Sequence, residues 1–480
     1  MSGPRRLIPV PGERFLSPEA VKDLLTRVVR LSTGGGDVQL YVMSRWTGNI
    51  RWARNEILSG GDTTNHYINI TRIVRGAAGS ATTSAVDDDS IRECIRRAED
   101  RMRYSPVNNE DAAPLHKAER YLEPQLWSDV TFNVDAAARA RSQQQLVAPA
   151  ASEHLLSAGY IEVSATGYGV TNTAGLFSYS PETRAEYSVT VRNASGTGSG
   201  WAGTTANDWG KIDAARVSST AMEKSKRSAD PVAIEPGRYT VILEPQAVAD
   251  LMLPLIRSLF RMPPEMGQGP WADGSRSFPL PPELREGITD PAFLAQRFGV
   301  SKIGQRVLDP RITIGADPMD PDAPFVPFAS DGTPMRPVKW IENGVLKELG
   351  YNRPYAVAAL NKPDPLNNNE AFRMSGGGSS VGEMVKSTER GLLVTRLVNV
   401  RVVDYSSLLC TGTTSDGLWL IERGQVTKAV KNFRFRESPL FAFNSIDVLG
   451  APVRVIEGMP TVVPPVRVRD FSMTSLADAV

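Results

Sequence analysis

Gly237-Arg238-Tyr239-Thr240-Val241-Ile242-Leu243 runs without a break into Glu244-Pro245-Gln246-Ala247-Val248-Ala249-Asp250-Leu251-Met252, and the fold turns on that junction. The first seven residues carry aromatic and β-branched side chains, the composition of a buried strand. Pro245 has no N–H and a preset φ, which suits the first turn of a helix, where that N–H would go unused. A strand therefore passes directly into a helix at the head of the second half of the chain.

Upstream, the first hundred residues predict helix, sheet and helix. Ser17-Pro18-Glu19-Ala20 reads as an N-cap with proline at the first helical position, leading into Val21, Leu24, Leu25, Val28 and Val29 at helical spacing. After Gly34-Gly35-Gly36-Asp37 come strand-like runs at 38–43 and 67–74, and 81–85 continues the pattern. Asp87-Asp88-Asp89-Ser90 caps a helix bearing Ile91, Cys94, Ile95 and Ala98. This is an α+β domain with a small antiparallel sheet, expected to span 1–105. Residues 106–135 are polar and contain proline, as a protease-sensitive linker would be. A helix at 136–146 and short strands follow, and 106–229 reads as linker and middle α+β region. Downstream, 230–480 reads as a strand-rich C-terminal domain, with a surface excursion at 261–290. Within it Trp340-Ile341-Glu342-Asn343-Gly344-Val345 and Leu420-Ile421-Glu422-Arg423-Gly424-Gln425-Val426 echo each other as hairpins with glycine in the turn.

Composition narrows the function classes. With 54 Lys+Arg against 53 Asp+Glu the formal charge is +1, too balanced for a chain that mainly contacts phosphate backbones. No window approaches the ~20 apolar residues that span a bilayer. The start, Met1 to Phe15, has two arginines but no apolar stretch before the next charges, so no secretory signal is expected. Cys94 and Cys410 form no disulfide framework, which fits a reducing cytoplasm.

The candidate chemistry is sparse. The three histidines, His66, His116 and His154, never stand one helical turn apart, so no zinc site of paired helical imidazoles follows from them. Each reads as a surface or packing histidine. Cys94 falls on the apolar face of a predicted helix, and Cys410 ends a strand with no base nearby in sequence. Ser375-Gly376-Gly377-Gly378-Ser379-Ser380 lacks the lysine of a phosphate loop and reads as a flexible loop able to line a cleft. Asp317-Pro318-Met319-Asp320-Pro321-Asp322 has prolines and no twelfth-position glutamate, against an EF-hand. These residues alone define a multi-domain α+β protein with no visible active site.

A more specific signal lies at 383–450: Ser387-Thr388-Glu389-Arg390-Gly391-Leu392-Leu393-Val394-Thr395-Arg396, Thr411-Gly412-Thr413-Thr414-Ser415-Asp416-Gly417, Lys431-Asn432-Phe433-Arg434-Phe435 and Glu437-Ser438-Pro439. Together with Asp309-Pro310-Arg311-Ile312-Thr313-Ile314, Pro327-Phe328-Ala329-Ser330-Asp331-Gly332 and the tail Val463-Pro464-Pro465-Val466-Arg467, this resembles the TldD/PmbA family, described both as modulators of DNA gyrase and as components of zinc peptidases. In that family TldD-type subunits carry HExxxH and a C-terminal cysteine as zinc ligands, and TldE (PmbA)-type subunits lack them. Here the matching junction reads Leu243-Glu244-Pro245, no histidine follows residue 154, and no cysteine follows Gly450. The resemblance is to the TldE type, so no catalytic residue and no metal ligand is carried over. Glu244 is then a carboxylate favoured by the dipole of the first helical turn.

The resemblance implies a cytoplasmic, non-catalytic subunit that pairs with a TldD-type HExxxH-bearing partner, as a heterodimer or alternatively a homodimer. Zinc is expected in the partner and no cofactor in this chain. The expected substrates are unfolded peptides or ribosomal peptide precursors, captured by strand addition; nucleic acid and membrane are not expected partners. Arg373, Ser375, Gly376, Gly377 and Gly378 are the candidates for the substrate cleft. Two other readings stay open: a stand-alone peptide-binding or regulatory homodimer without hydrolytic activity, and an enzyme using Cys410 or a hydroxyl nucleophile.

Overall fold

The computed structural model describes residues 14–33, 35–104, 115–265, 267–273, 301–362, 364–366 and 370–477. Most of the expected excursion at 261–290 and the first part of the expected linker lie outside them. α1 (Pro18–Leu31) begins as its sequence dictates, with the Ser17 hydroxyl accepting the Ala20 N–H and Pro18 at the first position. Three strands follow, β1 (Asp37–Ala53), β2 (Glu56–Val74) and β3 (Ala77–Thr83), and then α2 (Asp88–Tyr104). Arg72 lies fully buried where these elements meet. Its guanidinium donates to the carbonyls of Thr33, Gly35 and Asp37 and to Glu99 of α2, which satisfies the charge away from water.

The sheet does not stop at residue 105. After α3 (Asp129–Phe132) and α4 (Ala136–Ser152) come β4 (Leu155–Asn172), β5 (Phe177–Asn193), β6 (Ser199–Ala206) and α5 (Ala214–Arg227). All six strands form one antiparallel sheet in the order β3-β2-β1-β4-β5-β6. β1 is central, pairing with β4 from Gln39↔Asn172 to Trp52↔Gly159. The expected small sheet is thus half of a larger one that joins 1–105 to 106–229. The even-numbered residues of β1, from Val38 to Trp52, are buried under helices. The odd-numbered face, carrying Tyr41 and Arg45, looks toward the second half of the chain.

In that half, β7 (Gly237–Leu243) lies between strand Arg390–Asp404, parallel to it, and strand Val466–Leu476, antiparallel. Pairings continue through Phe433–Glu437 and Leu409–Glu422 back to Arg390–Asp404, closing a ring of five strands. α6 (Pro245–Arg257) leaves β7 directly and buries Val248, Leu251, Met252 and Leu255 in the core shared with Trp340 and Phe435. Both echoing hairpins form: Asn343-Gly344 and Arg423-Gly424 each hold two successive positive φ angles, the tight turn that matches strand twist.

The halves are stitched by specific polar contacts. Tyr121 donates to the Gly332 carbonyl at 2.6 Å, and buried His116 meets the Thr333 hydroxyl at 3.1 Å. The described part of the expected linker is therefore fastened to both halves, since Asn172 also donates to the His116 carbonyl. No helix among the described residues is long and apolar enough to cross a membrane.

Candidate functional site

Between the halves lies a cavity of about 470 Å³, roofed by the odd face of β1 and its neighbours in the sheet. Strand register builds that roof. Arg45 of β1 stands opposite Thr166 of β4, which stands opposite Glu182 of β5; in the next row Ser164 stands opposite Arg184. Tyr41 and Tyr168 extend the same face. The floor comes from Phe325, Phe328 and Ser330, from Glu370, and from Gly458-Met459-Pro460. Such a site needs period-two alternation on three strands, because only then do side chains 140 positions apart share one surface.

Charges in the cavity are unevenly matched. Arg45 is ion-paired with Glu162 and donates to the Ser164 hydroxyl at 3.2 Å, while its Nε is buried with no hydrogen-bond partner among the described residues. Arg184 lies 3.5 Å from Glu186 and donates to the Glu457 carbonyl at 2.6 Å, tying β5 to the floor. Burial pushes the Glu182 carboxyl up, against the opposing pull of Arg184, the Tyr168 hydroxyl, Arg454 and Arg45. Burial also raises Glu370, whose side chain still reaches water, and the nearby charge of Glu182 raises it further. Desolvation raises both Tyr41 and Tyr168, so both phenols are neutral donors.

Beside the floor, α6 presents Gln246 and Asp250 one turn apart. Gln246 clamps the backbone of Ile456, donating to its carbonyl at 3.0 Å and accepting its N–H at 3.2 Å. Asp250 accepts from Gln246 at 3.0 Å and from the Leu397 N–H at 2.8 Å, yet burial pushes it up to about 6. Glu457 is pushed up to about 7, by burial first and by the charge of Asp250 second. A second cavity of about 460 Å³ lies at the end of β6, with Trp127, Asn207, Lys211 and Arg454 in its wall. Arg454 donates to Asn207 Oδ1 at 2.6 Å, and desolvation lowers its guanidinium to about 10.

The five cleft residues expected from sequence take other places. Arg373 chelates Asp320 and Asp322, two carboxylates that line the second cavity. Ser375 accepts the Thr313 N–H and donates to the Arg311 carbonyl. Gly376 and Gly377 press on the 449–452 turn, where a Cβ at either would sit 2.4 Å from a carbonyl oxygen, whereas Gly378 faces open space. None of the five lines the large cavity. Tyr41, Arg45, Glu182 and Glu370 do line it. For the first three the signal in the sequence is alternation, polar or aromatic residues at every second position of strands whose other positions are mostly apolar, whereas Glu370 lies outside any strand and carries no such signal.

The remaining candidates lie outside this cavity. His66 Nδ1 meets the Ser44 hydroxyl at 2.8 Å, and burial lowers its pKa. His154 sits in a left-handed conformation just beyond α4. Cys94 and Cys410 are buried free thiols, Cys410 pushed up to about 11 by desolvation. Glu244 is the N-cap of α6: its carbonyl accepts the Val248 N–H, but its carboxylate makes no cap bond and instead forms an ion pair with Lys224 of α5. Among the described residues no three His, Cys, Asp or Glu side chains gather as a metal site would require. The donor set around the junction helix (Glu244, Gln246 and Asp250, with guanidinium groups nearby) does not fit zinc, which takes imidazole, thiolate or paired carboxylate ligands.

Comparison with known proteins gives a consistent fold. Residues 292–475 match the model for the PmbA/TldA metallopeptidase C-terminal domain, and residues 38–101 match that for PmbA/TldA metallopeptidase domain 1. Among solved structures, TldE from Thermococcus kodakarensis superposes with a TM-score of 0.74 at 15% identity, covering 95% of this chain and all of that one (100%). A protein described as a candidate modulator of a DNA gyrase from Thermotoga maritima gives 0.72 at 17% identity, over 94% of this chain and 99% of that chain. Another so described, from Bacteroides thetaiotaomicron, gives 0.74 at 14% identity, over 96% and 100%. No curated protein matches the sequence.

Proposed function

The chain belongs to the TldD/PmbA metallopeptidase family, and from this premise we propose that it is a non-catalytic, TldE-like subunit that binds peptide for a zinc-bearing TldD-type partner. The observation that carries the reading is the junction of β7 and α6. There the chain places Glu244, Pro245, Gln246 and Asp250, with Glu244 spent on Lys224 and Gln246 spent on the Ile456 backbone. A hydrolytic zinc site needs three protein ligands, one open position and a carboxylate free to activate water. This junction offers neither the ligands nor the free carboxylate. The lined cavity beside it supplies a surface on which an extended peptide can lie, with buried donors and two neutral phenols along its wall.

Mechanistically, this chain's residues bind and orient substrate, and the ion that the family implies belongs to the partner. The test is co-expression with a TldD-type subunit and cleavage of an unstructured peptide by this chain alone, the partner alone and the pair. Turnover is expected only from the pair and is abolished by replacing the partner's motif glutamate. Glu244→Gln in this chain leaves it within a few-fold, because no transition-state interaction is assigned to that residue. Cleavage by this chain alone, insensitive to chelator, would refute the proposal. Binding of peptide by this chain alone, with no gain from the partner, would instead favour a stand-alone peptide-binding protein.

A further inference from the structure

Each cation on the sheet side of the large cavity already has a partner. Arg45 is held by Glu162, and Arg184 by Glu186 and the Glu457 carbonyl. The carboxylates facing them are less well matched. Glu182 shares the Tyr168 hydroxyl and feels Arg184, Arg454 and Arg45 through space, while Glu370 has no ion-pair partner among the described residues and is repelled by Glu182. Two phenols, Tyr41 and Tyr168, and the ring of Phe328 line the same space.

Glu370, with no cation among the described residues, stands with Glu182 beside aromatic faces, and this corner of the cavity lacks one component: a compact positive group with several N–H donors. An ammonium supplies three donors and one charge, and aromatic rings add cation–π attraction. The buried Arg45 Nε, without an acceptor among the described residues, is an independent sign of a missing occupant, since a buried donor left without an acceptor is unfavourable. A peptide carbonyl would satisfy it. A volume of about 470 Å³ suits the end of a chain better than a bare ion.

We propose that Glu182 and Glu370, with Tyr41 and Tyr168, form a subsite for a primary ammonium group carried by an extended peptide, either its amino-terminus or a lysine side chain. The identity of the carrier rests on the peptide-binding reading above; the ammonium chemistry rests on the cavity alone. The experiment is calorimetric titration of the full chain with a short linear alkylamine and with one unstructured peptide in three forms. The forms have a free amino-terminus without lysine, an acetylated terminus without lysine, and an acetylated terminus with one lysine.

A form that carries the ammonium is expected to bind at least about 10-fold more tightly than the acetylated, lysine-free form, a difference of about 1.4 kcal/mol. The first and third forms tell the terminus from the side chain. In Glu370→Gln, and in Glu182→Gln combined with it, the preference falls to about 3-fold or less. Glu370→Gln removes like-charge repulsion at a residue that reaches water, whereas Glu182→Gln also removes the charge that Arg184, Arg454 and Arg45 face, so the thermal midpoint checks each fold and the single Glu370→Gln variant decides the test if the double variant is destabilised. Equal binding of all peptide forms overturns the subsite and leaves peptide binding standing. Alkylamine binding that is lost in the variants, with no peptide binding, supports the subsite and overturns the peptide carrier. An ammonium preference that persists in the variants, or no binding of any probe, overturns the proposal.

Discussion

Replacing Asp250 by asparagine separates charge from hydrogen bonding on the helix that follows β7. Asp250 ionises at about 6 in the fold against 3.8 when exposed, because burial outweighs the bonds from Gln246 and Leu397. A folded-state value above the unfolded one means that folding favours the protonated form. That stability is fully present below the unfolded value and is lost as pH rises through the folded one. For Asp250 the window runs from about 4 to about 6, and for Glu457 from about 4.5 to about 7. At about 1.4 kcal/mol per pH unit, Asp250 alone forfeits about 3 kcal/mol across its window.

Asparagine cannot ionise and escapes that loss. It pays at every pH in another way: Leu397 N–H and Gln246 Nε2 are both donors, and asparagine has one oxygen to offer them. The lost bond costs about 1 kcal/mol. The variant should therefore be about 0.5 kcal/mol less stable than the wild type near pH 4 and about 2 kcal/mol more stable near pH 7, with the two curves crossing near pH 4.5. Removing the Asp250 charge also relieves Glu457, which widens the gap at neutral pH. Urea midpoints measured from pH 4 to pH 7.5, at unchanged transition slope, read the difference directly. Parallel curves without a crossing would show that Asp250 is not desolvated as described.

Three further outcomes follow from packing. Trp52, fully buried, stacks on Tyr187 with ring centroids 6.1 Å apart, so Trp52→Ala should cost about 3–5 kcal/mol by denaturant unfolding; a loss under about 1 kcal/mol would contradict the β1–α4 core. A Cβ at Gly79 would lie 2.1 Å from the Ala98 carbonyl oxygen and 2.5 Å from the Met102 nitrogen, so Gly79→Ala should force α2 off β3 and cost about 1–3 kcal/mol, read as a lowered thermal midpoint. Cys94 and Cys410 are buried with thiols raised by desolvation, and neither should react with a thiol reagent at pH 8 until the chain is unfolded in urea. Rapid native labelling of either would contradict its burial.

Local sequence carried the elements whose causes are local. Ser17-Pro18 starts α1, Asn343-Gly344 and Arg423-Gly424 turn their hairpins, and Leu243-Glu244-Pro245 switches strand to helix because each depends on residues within a few positions. The loop at 375–380 was also visible, but its neighbours were not. A glycine run looks the same whether it lines a cleft or packs on a turn, and here Gly376 and Gly377 lie against residues 449–452.

The sequence by itself determined the helix and strand starts, the balanced charge, the missing histidine pair and the motifs of the C-terminal half. Only the tertiary structure decided that β1 pairs with β4, which merges the first two expected segments into one six-stranded sheet. It alone placed Arg45, Glu182 and Glu370 around one cavity. The physical reason is that strand pairing is non-local: backbone donors and acceptors are the same at every residue, so the choice of partner is made by how apolar faces pack far apart in the chain. A site built on the opposite face inherits that choice.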